Sequence, residues 1–202
     1  MMHLELETSN LDAYLEASDV IDFEQPIIRE IAAQLIRAET TDVARAKRIY
    51  EFVRDRVSHT FDIQGDIVTC QASEVLQHRQ GICFAKSHLL AAILRCVGIP
   101  TGFCYQRLLF EQENAPEFTL HGLNAIYLAS VGRWIRVDAR GNKPGVQAEL
   151  CLEKEMLAFP IRAELHETDF AIVYSRPNVN VITALRNSET IAQLIQHLPD
   201  EL

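Results

Sequence analysis

Apolar residues recur at helical spacing in the first half of the chain and in strand-like runs in the second half. After Pro26, apolar positions lie three to four residues apart, which predicts an amphipathic helix with proline in its first turn. A second helix is predicted after Thr41, with Asp42 in its first turn, and it continues to about Val57. Both helices are expected to supply packing surface rather than chemistry.

The segments around these helices carry weaker patterns. Residues 1 to about 24 mix acidic and apolar positions without a clear period, and we interpret them as a short leading strand or an irregular segment. Residues 58–71 lose the helical period and contain Gly65, which favours a surface loop. A short helix is predicted at residues 72–77, and a turn follows at residues 78–81.

The next segment contains the longest helical pattern, residues 83–97, which is rich in leucine, alanine and isoleucine and ends at Gly98 and Pro100. Downstream, four runs predict β-strands, and a last amphipathic run predicts a C-terminal helix. The strand runs are residues 101–110, 119–130, 134–139 and 170–175, and the helical run is residues 188–198. Helices followed by strands indicate an α+β fold with an antiparallel sheet.

Length and charge limit the function classes. The chain has 202 residues, which favours a single domain spanning residues 1–202, with its core at about residues 43–175. A net charge of −9 argues against nucleic acid and against an anionic membrane as partners. The N-terminus lacks the basic and apolar regions of a secretory signal, so we expect a cytoplasmic protein.

The cysteine pattern does not indicate disulfides or a metal. Five cysteines make an odd number and contain no close pair, so we expect all of them to be reduced. No Cys-x2-4-Cys spacing is present, and we expect neither zinc nor any other cofactor. The five are Cys70, Cys83, Cys96, Cys104 and Cys151.

Cys83 stands in the first turn of the leucine-rich helix. A helix N-terminus favours a thiolate, and its free N–H groups can bind a developing oxyanion, so one position can supply a nucleophile and part of an oxyanion hole. Lys86, one turn further on, would add positive charge. The alternative is that Cys83 is a small buried apolar residue, as expected of Cys96.

A thiol nucleophile needs a base, and the base needs an acceptor that orients it. His121 lies in one predicted strand, and Asp138 ends the next. Antiparallel pairing would bring these strands together and match residue 121 with about residue 141, so a bulge or a diagonal contact must bring Asp138 into reach. Alternatively, His121 is a structural histidine and Asp138 initiates a turn.

Three segments together resemble the transglutaminase-like superfamily of cysteine enzymes, in its small bacterial form. They are GICFAKSHLLAAILRCVGIP from residue 81, HGLNAIYL from residue 121 and WIRVDARGNK from residue 134. They match Gly-x-Cys opening a helix, an Arg-x-x-Gly-Ile-Pro exit, and His and Asp on successive strands. The resemblance covers about residues 43–145. It implies a papain-like core with Cys83 as nucleophile, His121 as general base and acid, and Asp138 as the residue that orients His121.

The resemblance also implies a reaction through a thioester on Cys83. We expect hydrolysis of a peptide or amide bond, with a peptide, protein or small amide as substrate. Two alternatives remain open: a transglutaminase reaction with an amine acceptor, and a non-catalytic binding module on the same fold. The 202 residues do not include the flanking β-domains of larger members or the paired-cysteine zinc motif of the deglycosylating members, so we do not expect eukaryotic-style crosslinking or glycan release.

The second oxyanion donor is not determined by the pattern. Gln80 is the preferred candidate, and Gln77 and His59 are alternatives, because all three lie upstream of Cys83 and could reach the acyl oxygen from the loop side. Each of them could equally be a solvated polar residue. His88 lies off the helical face of Cys83 and is expected to be non-catalytic. The remaining histidines are expected at the surface: His3, His78, His166 and His197.

Overall fold

The computed structural model describes residues 2–110 and 117–202 and has an α+β architecture. Its helices are α1 (Pro26–Ile36), α2 (Asp42–Arg56), α3 (Ala72–His78), α4 (Cys83–Cys96), α5 (Val179–Arg186) and α6 (Ile191–Gln196). Its strands are β1 (Glu5–Leu6), β2 (Ser58–His59), β3 (Gln80–Gly81), β4 (Thr101–Leu109), β5 (Phe118–Leu128), β6 (Arg133–Val137), β7 (Thr168–Asp169) and β8 (Ile172–Val173).

Four strands form the main sheet, in the order β6-β5-β4-β7, with antiparallel neighbours throughout. The long β4–β5 hairpin is its centre. Two short parallel pairs, β1 with β8 and β2 with β3, lie outside this sheet. The predicted fold class, an antiparallel sheet packed against N-terminal helices, is confirmed.

The first two helices begin where the sequence pattern predicts. Pro26 opens α1, and the hydroxyl of Thr41 caps α2 by accepting a hydrogen bond from the N–H of Ala44 at 3.1 Å. The apolar face of α1 is buried through Ile28 and its neighbours one and two turns on, whereas Ile27 is exposed. Both helices pack against α4.

Helix α4 lies at the centre of the core. Every residue from Phe84 to Arg95 is buried, the apolar majority together with the polar residues Lys86, Ser87, His88 and Arg95. It packs against α1, α2 and α3 on one side and against β4 and β5 on the other. The first turn of α4 lies against β5, where Phe84 packs on Gly122.

Two predictions of local structure need correction. The predicted loop at residues 58–71 begins with a strand, β2, because Ser58 and His59 pair with Gln80 and Gly81. The predicted strand at residues 170–175 is reduced to β8, which pairs with β1.

Within the described residues, none of the helices is long and apolar enough to cross a membrane.

Candidate active site

Cys83 is the first residue of α4, and Ile82 holds the N-cap position in extended conformation. A hydrocarbon side chain cannot accept a hydrogen bond, so Ile82 cannot cap the N–H groups of the first turn. The Cys83 side chain is partly buried and lines a cleft of about 580 Å³ together with His121. The uncapped end of α4 thus faces the cleft.

His121 lies on β5, opposite Gln106 of β4, and is only 5% exposed. Its Nε2 is 2.8 Å from Oδ2 of Asp138, which leaves the other ring nitrogen for the Cys83 thiol. The ring of Phe159 meets the imidazole edge-on, with centroids 5.0 Å apart. Phe159 belongs to an irregular segment and was not predicted from the sequence; no period or motif marks it.

Asp138 reaches His121 by a diagonal contact. The β5–β6 ladder ends with Asn124 opposite Val137, so the same register would place Asp138 opposite Leu123. His121 is two residues from that position on the same face of the strand. The pair predicted from the sequence therefore forms without a bulge.

The carboxylate of Asp138 is fully buried, and both of its oxygens accept hydrogen bonds. Oδ1 accepts a hydrogen bond from the N–H of Arg140 at 3.0 Å, and Oδ2 accepts one from the N–H of Ala158 at 3.2 Å. The hydroxyl of Tyr50 donates to the main-chain oxygen of Asp138 at 3.0 Å. Burial alone would raise the pKa of Asp138, but His121 and these N–H donors lower it below its usual value.

The same contacts favour the charged form of His121. Burial would lower the pKa of the imidazole, but the charges of Asp138 and Cys83 and their hydrogen bonds to the ring raise it to about 10. An imidazolium between a carboxylate and a thiol can stabilise a thiolate and later donate a proton to a leaving group. The geometry is therefore suited to nucleophilic chemistry at sulfur.

Gly122 sets the distance between α4 and β5. Gly122 follows His121, and a Cβ atom at this position would lie 2.6 Å from Cδ1 of Phe84, the residue after Cys83. No side chain fits between β5 and the first turn of α4. This close approach brings the thiol and the imidazole to the same end of the cleft.

Lys86 does not line the cleft beside Cys83, although the sequence predicts that it adds positive charge there. Its ammonium donates to the carbonyl oxygens of Arg54, at 3.3 Å, and Val57, at the C-terminal end of α2. Burial, opposed by the charge of Asp138, lowers the pKa of Lys86 to about 7. Its contacts tie α4 to α2, and Lys86 is not among the described residues that line the cleft.

The three candidates for a second oxyanion donor lie in different surroundings. His59 is buried and lines the cleft with Cys83. Gln80 is buried beside Gly65, and Gln77 is exposed on α3; among the described residues, neither lines the cleft. His88 is enclosed in the core, where Nδ1 lies 2.8 Å from the carbonyl oxygen of Cys70. The other four histidines are exposed, as predicted.

The remaining cysteines lie in different environments from Cys83. All five are free. Burial raises the pKa of Cys70 to about 11 and that of Cys104 to about 12, and it also raises the pKa of Cys96. Each of these three shifts opposes a thiolate. Within residues 2–110 and 117–202, no group of three or more His, Cys, Asp or Glu side chains could hold a metal ion.

Apolar side chains form most of the cleft wall, and charged pairs lie among them. The aromatic members are Phe61, Phe84, Phe110 and Phe159. Asp62 accepts hydrogen bonds from Arg140 at 2.8 Å and from Lys143 at 2.7 Å, which joins the loop after β2 to the loop after β6. The cleft thus offers apolar contact area next to Cys83.

Comparison with solved structures gives neighbours of low sequence identity. A candidate cysteine protease from Cytophaga hutchinsonii matches with a TM-score of 0.53 and 18% identity over 66% of this chain and 43% of that one. A candidate protease from Parabacteroides distasonis gives 0.44 and 12% over 83% and 30%. The red sea bream transglutaminase gives 0.37 and 14% over 66% and 26%. The chain spans less than half of each of these structures.

The fold and the cysteine helix define the class of protein, a papain-like arrangement of a helix against an antiparallel sheet. The sequence model of the transglutaminase-like superfamily matches residues 29–139, more than half of the chain. The chain therefore belongs to the transglutaminase-like superfamily. Comparison with curated proteins returns no match.

Proposed function

We propose that this protein is a thiol-dependent acyl-transfer enzyme that hydrolyses a peptide or amide bond through a thioester on Cys83. His121 acts as general base and acid, and Asp138 orients and charges its ring. The contact between Nε2 of His121 and Oδ2 of Asp138, at 2.8 Å, carries this proposal, because it leaves the other ring nitrogen for the thiol. Membership of the superfamily supports the same reading.

Each proton that moves in the proposed reaction has a donor and an acceptor. The Cys83 thiolate attacks the carbonyl carbon, the imidazolium gives its proton to the leaving amine, and the neutral ring then takes a proton from the water that hydrolyses the thioester. We favour water over an amine as acceptor, because water is the abundant nucleophile in an open cleft. The mainly apolar wall favours substrates with an apolar side chain near the reacting carbonyl.

The first test captures the intermediate. Reaction of the protein with p-nitrophenyl acetate should release a burst of p-nitrophenolate and leave an acetyl group on Cys83, detected by mass spectrometry of peptides. Acetylation of Cys70 or Cys151 at the same rate as Cys83 would overturn the nucleophile assignment and favour a binding module.

The second test identifies the acceptor. The acetylated protein is divided between buffer with and without methylamine, and acetate and N-methylacetamide are quantified. Acetate should be the main product in both. If the amide forms faster than acetate, the transglutaminase reaction replaces hydrolysis as the assigned activity.

A further inference from the structure

We propose that His59 is the second oxyanion donor of the Cys83 site, and that its imidazole N–H binds the carbonyl oxygen of the substrate during attack. This inference rests on the proposed acyl-transfer function and adds a catalytic residue to it. The first donor is the uncapped N-terminus of α4.

The backbone places His59 beside the approach to the nucleophile. In the parallel β2–β3 pair His59 is the register partner of Gly81, two residues before Cys83. The N–H of Thr60 donates to the carbonyl oxygen of Gly81 at 3.2 Å and extends this pairing. The ring of His59 lines the same cleft as Cys83 and His121.

The imidazole of His59 has an unused hydrogen-bonding group. The residue is only 7% exposed, and its enclosed Nδ1 has no hydrogen-bond partner in the described part of the chain. Because the enclosed Nδ1 lies out of reach of the cleft, a neutral ring that keeps Nδ1 unprotonated carries its N–H on Nε2, which is not among the enclosed, unpartnered atoms of the described residues. A substrate oxygen in the cleft would accept a hydrogen bond from this Nε2–H.

The charges around His59 keep its ring neutral. Burial lowers its pKa well below the usual value, the positive charges of Arg140, Lys86 and His121 lower it further, and Asp62 opposes them. A neutral imidazole carries one N–H, and because its pKa is low, His59 does not compete with His121 for the proton of the Cys83 thiol. The two histidines thus differ in charge, which suits one to proton transfer and the other to hydrogen-bond donation.

The alternative donor, Gln80, is directed elsewhere. A Cβ atom on Gly65 would lie 2.5 Å from Oε1 of Gln80, so the amide packs against the loop after β2. The structural alternative for His59 is packing alone, because its ring meets Phe61 edge-on at 5.3 Å. The experiment separates these roles.

The step assigned to His59 is balanced. Attack forms the C–S bond, and the π electrons of the carbonyl move to oxygen, where the N–H of His59 and those of the first turn of α4 stabilise the charge. Collapse re-forms the C=O bond and breaks the bond to the leaving group, whose proton comes from His121. His59 itself neither gains nor loses a proton.

The experiment compares two reactions of the same sulfur. Acylation by p-nitrophenyl acetate passes through an oxyanion, whereas alkylation by iodoacetamide does not. We expect His59→Phe to slow acylation of Cys83 about 10²-fold while alkylation stays within about twofold. His59→Gln, which keeps an N–H donor, should recover at least about tenfold of the loss. The control Gln80→Met should acylate at the wild-type rate.

Each outcome supports or overturns the assignment. Equal slowing of acylation and alkylation would make His59 a positioning residue, and an unchanged acylation rate would remove it from catalysis. Slow acylation in Gln80→Met alone would transfer the role to Gln80. If the wild-type protein forms no acetyl-Cys83, both the proposed function and this inference fail. If the wild-type protein is acetylated at Cys83 but the His59 variants are acetylated at the same rate, only this inference fails. Alkylation kinetics also report that each variant is folded.

Discussion

The two ends of α4 are built in opposite ways. At the C-terminal end, Arg95 donates hydrogen bonds of 2.6 to 3.1 Å to the main-chain oxygens of Glu16, Thr101 and Ser175. The N–H groups of Val97 and Gly98 pair with the last carbonyls of the helix. At the N-terminal end, Ile82 provides no cap and Cys83 faces a cleft. The C-terminal end is closed by hydrogen bonds, whereas the first turn at the N-terminal end has no side-chain cap and faces the cleft.

The largest contrast should come from the cysteines at the first and last positions of α4. We expect Cys83→Ala to lower the rate of p-nitrophenyl acetate hydrolysis by at least about 10³-fold, because no other group forms the thioester. Cys96→Ala should retain the wild-type rate. Steady-state hydrolysis measures both, and a large loss in Cys96→Ala would show that α4 does not separate the two ends.

The charge of the His121 ring, which faces the N-terminal end of α4, should depend on Asp138. In the wild-type protein, the NMR titration of His121 should have its midpoint near pH 10, with the imidazolium present below it. Asp138→Asn should lower that pKa by more than about one unit and the acylation rate by about 10²- to 10⁴-fold. An unchanged midpoint would show that the carboxylate does not hold the proton.

Glycines near the two ends should also respond differently. Gly122→Ala would place a methyl group against Phe84 and separate the thiol from the imidazole, so acylation should fall about 10²-fold. Gly98 has a φ of 77° and open space around it. Gly98→Ala should therefore cost about 1 kcal/mol of stability without changing the rate. Urea unfolding and acylation kinetics on both variants test the contrast.

Arg95, at the C-terminal end of α4, should affect the stability of the protein and leave the acylation rate unchanged. Arg95→Met leaves three main-chain oxygens without their charged donor and should reduce the free energy of unfolding by about 3 kcal/mol. The acylation rate of the folded protein should remain that of the wild type. A rate that falls with stability would mean that the closed end also positions the nucleophile.

The sequence predicts the helices better than the surroundings of the site. Pro26, the cap at Thr41 and the stop at Gly98 mark helix ends through local chemistry. The strand that carries His121 and the strand that ends just before Asp138 are long enough to show a pattern. The β2–β3 pair has two residues in each strand, which is too short for any period. The exposure of His59 to the cleft and the contact of Phe159 with His121 depend on distant segments meeting, so no local pattern contains them.

The hydrogen bond from the N–H of Ala158 to Asp138 links the charge of the His121–Asp138 pair to the exclusion of water around it. The carboxylate that charges His121 also anchors the segment whose next residue, Phe159, covers the imidazole. Since an ion pair strengthens as water is excluded from it, the local dielectric and the ion pair depend on one another. The pair helps to maintain the dry surroundings on which its own strength depends.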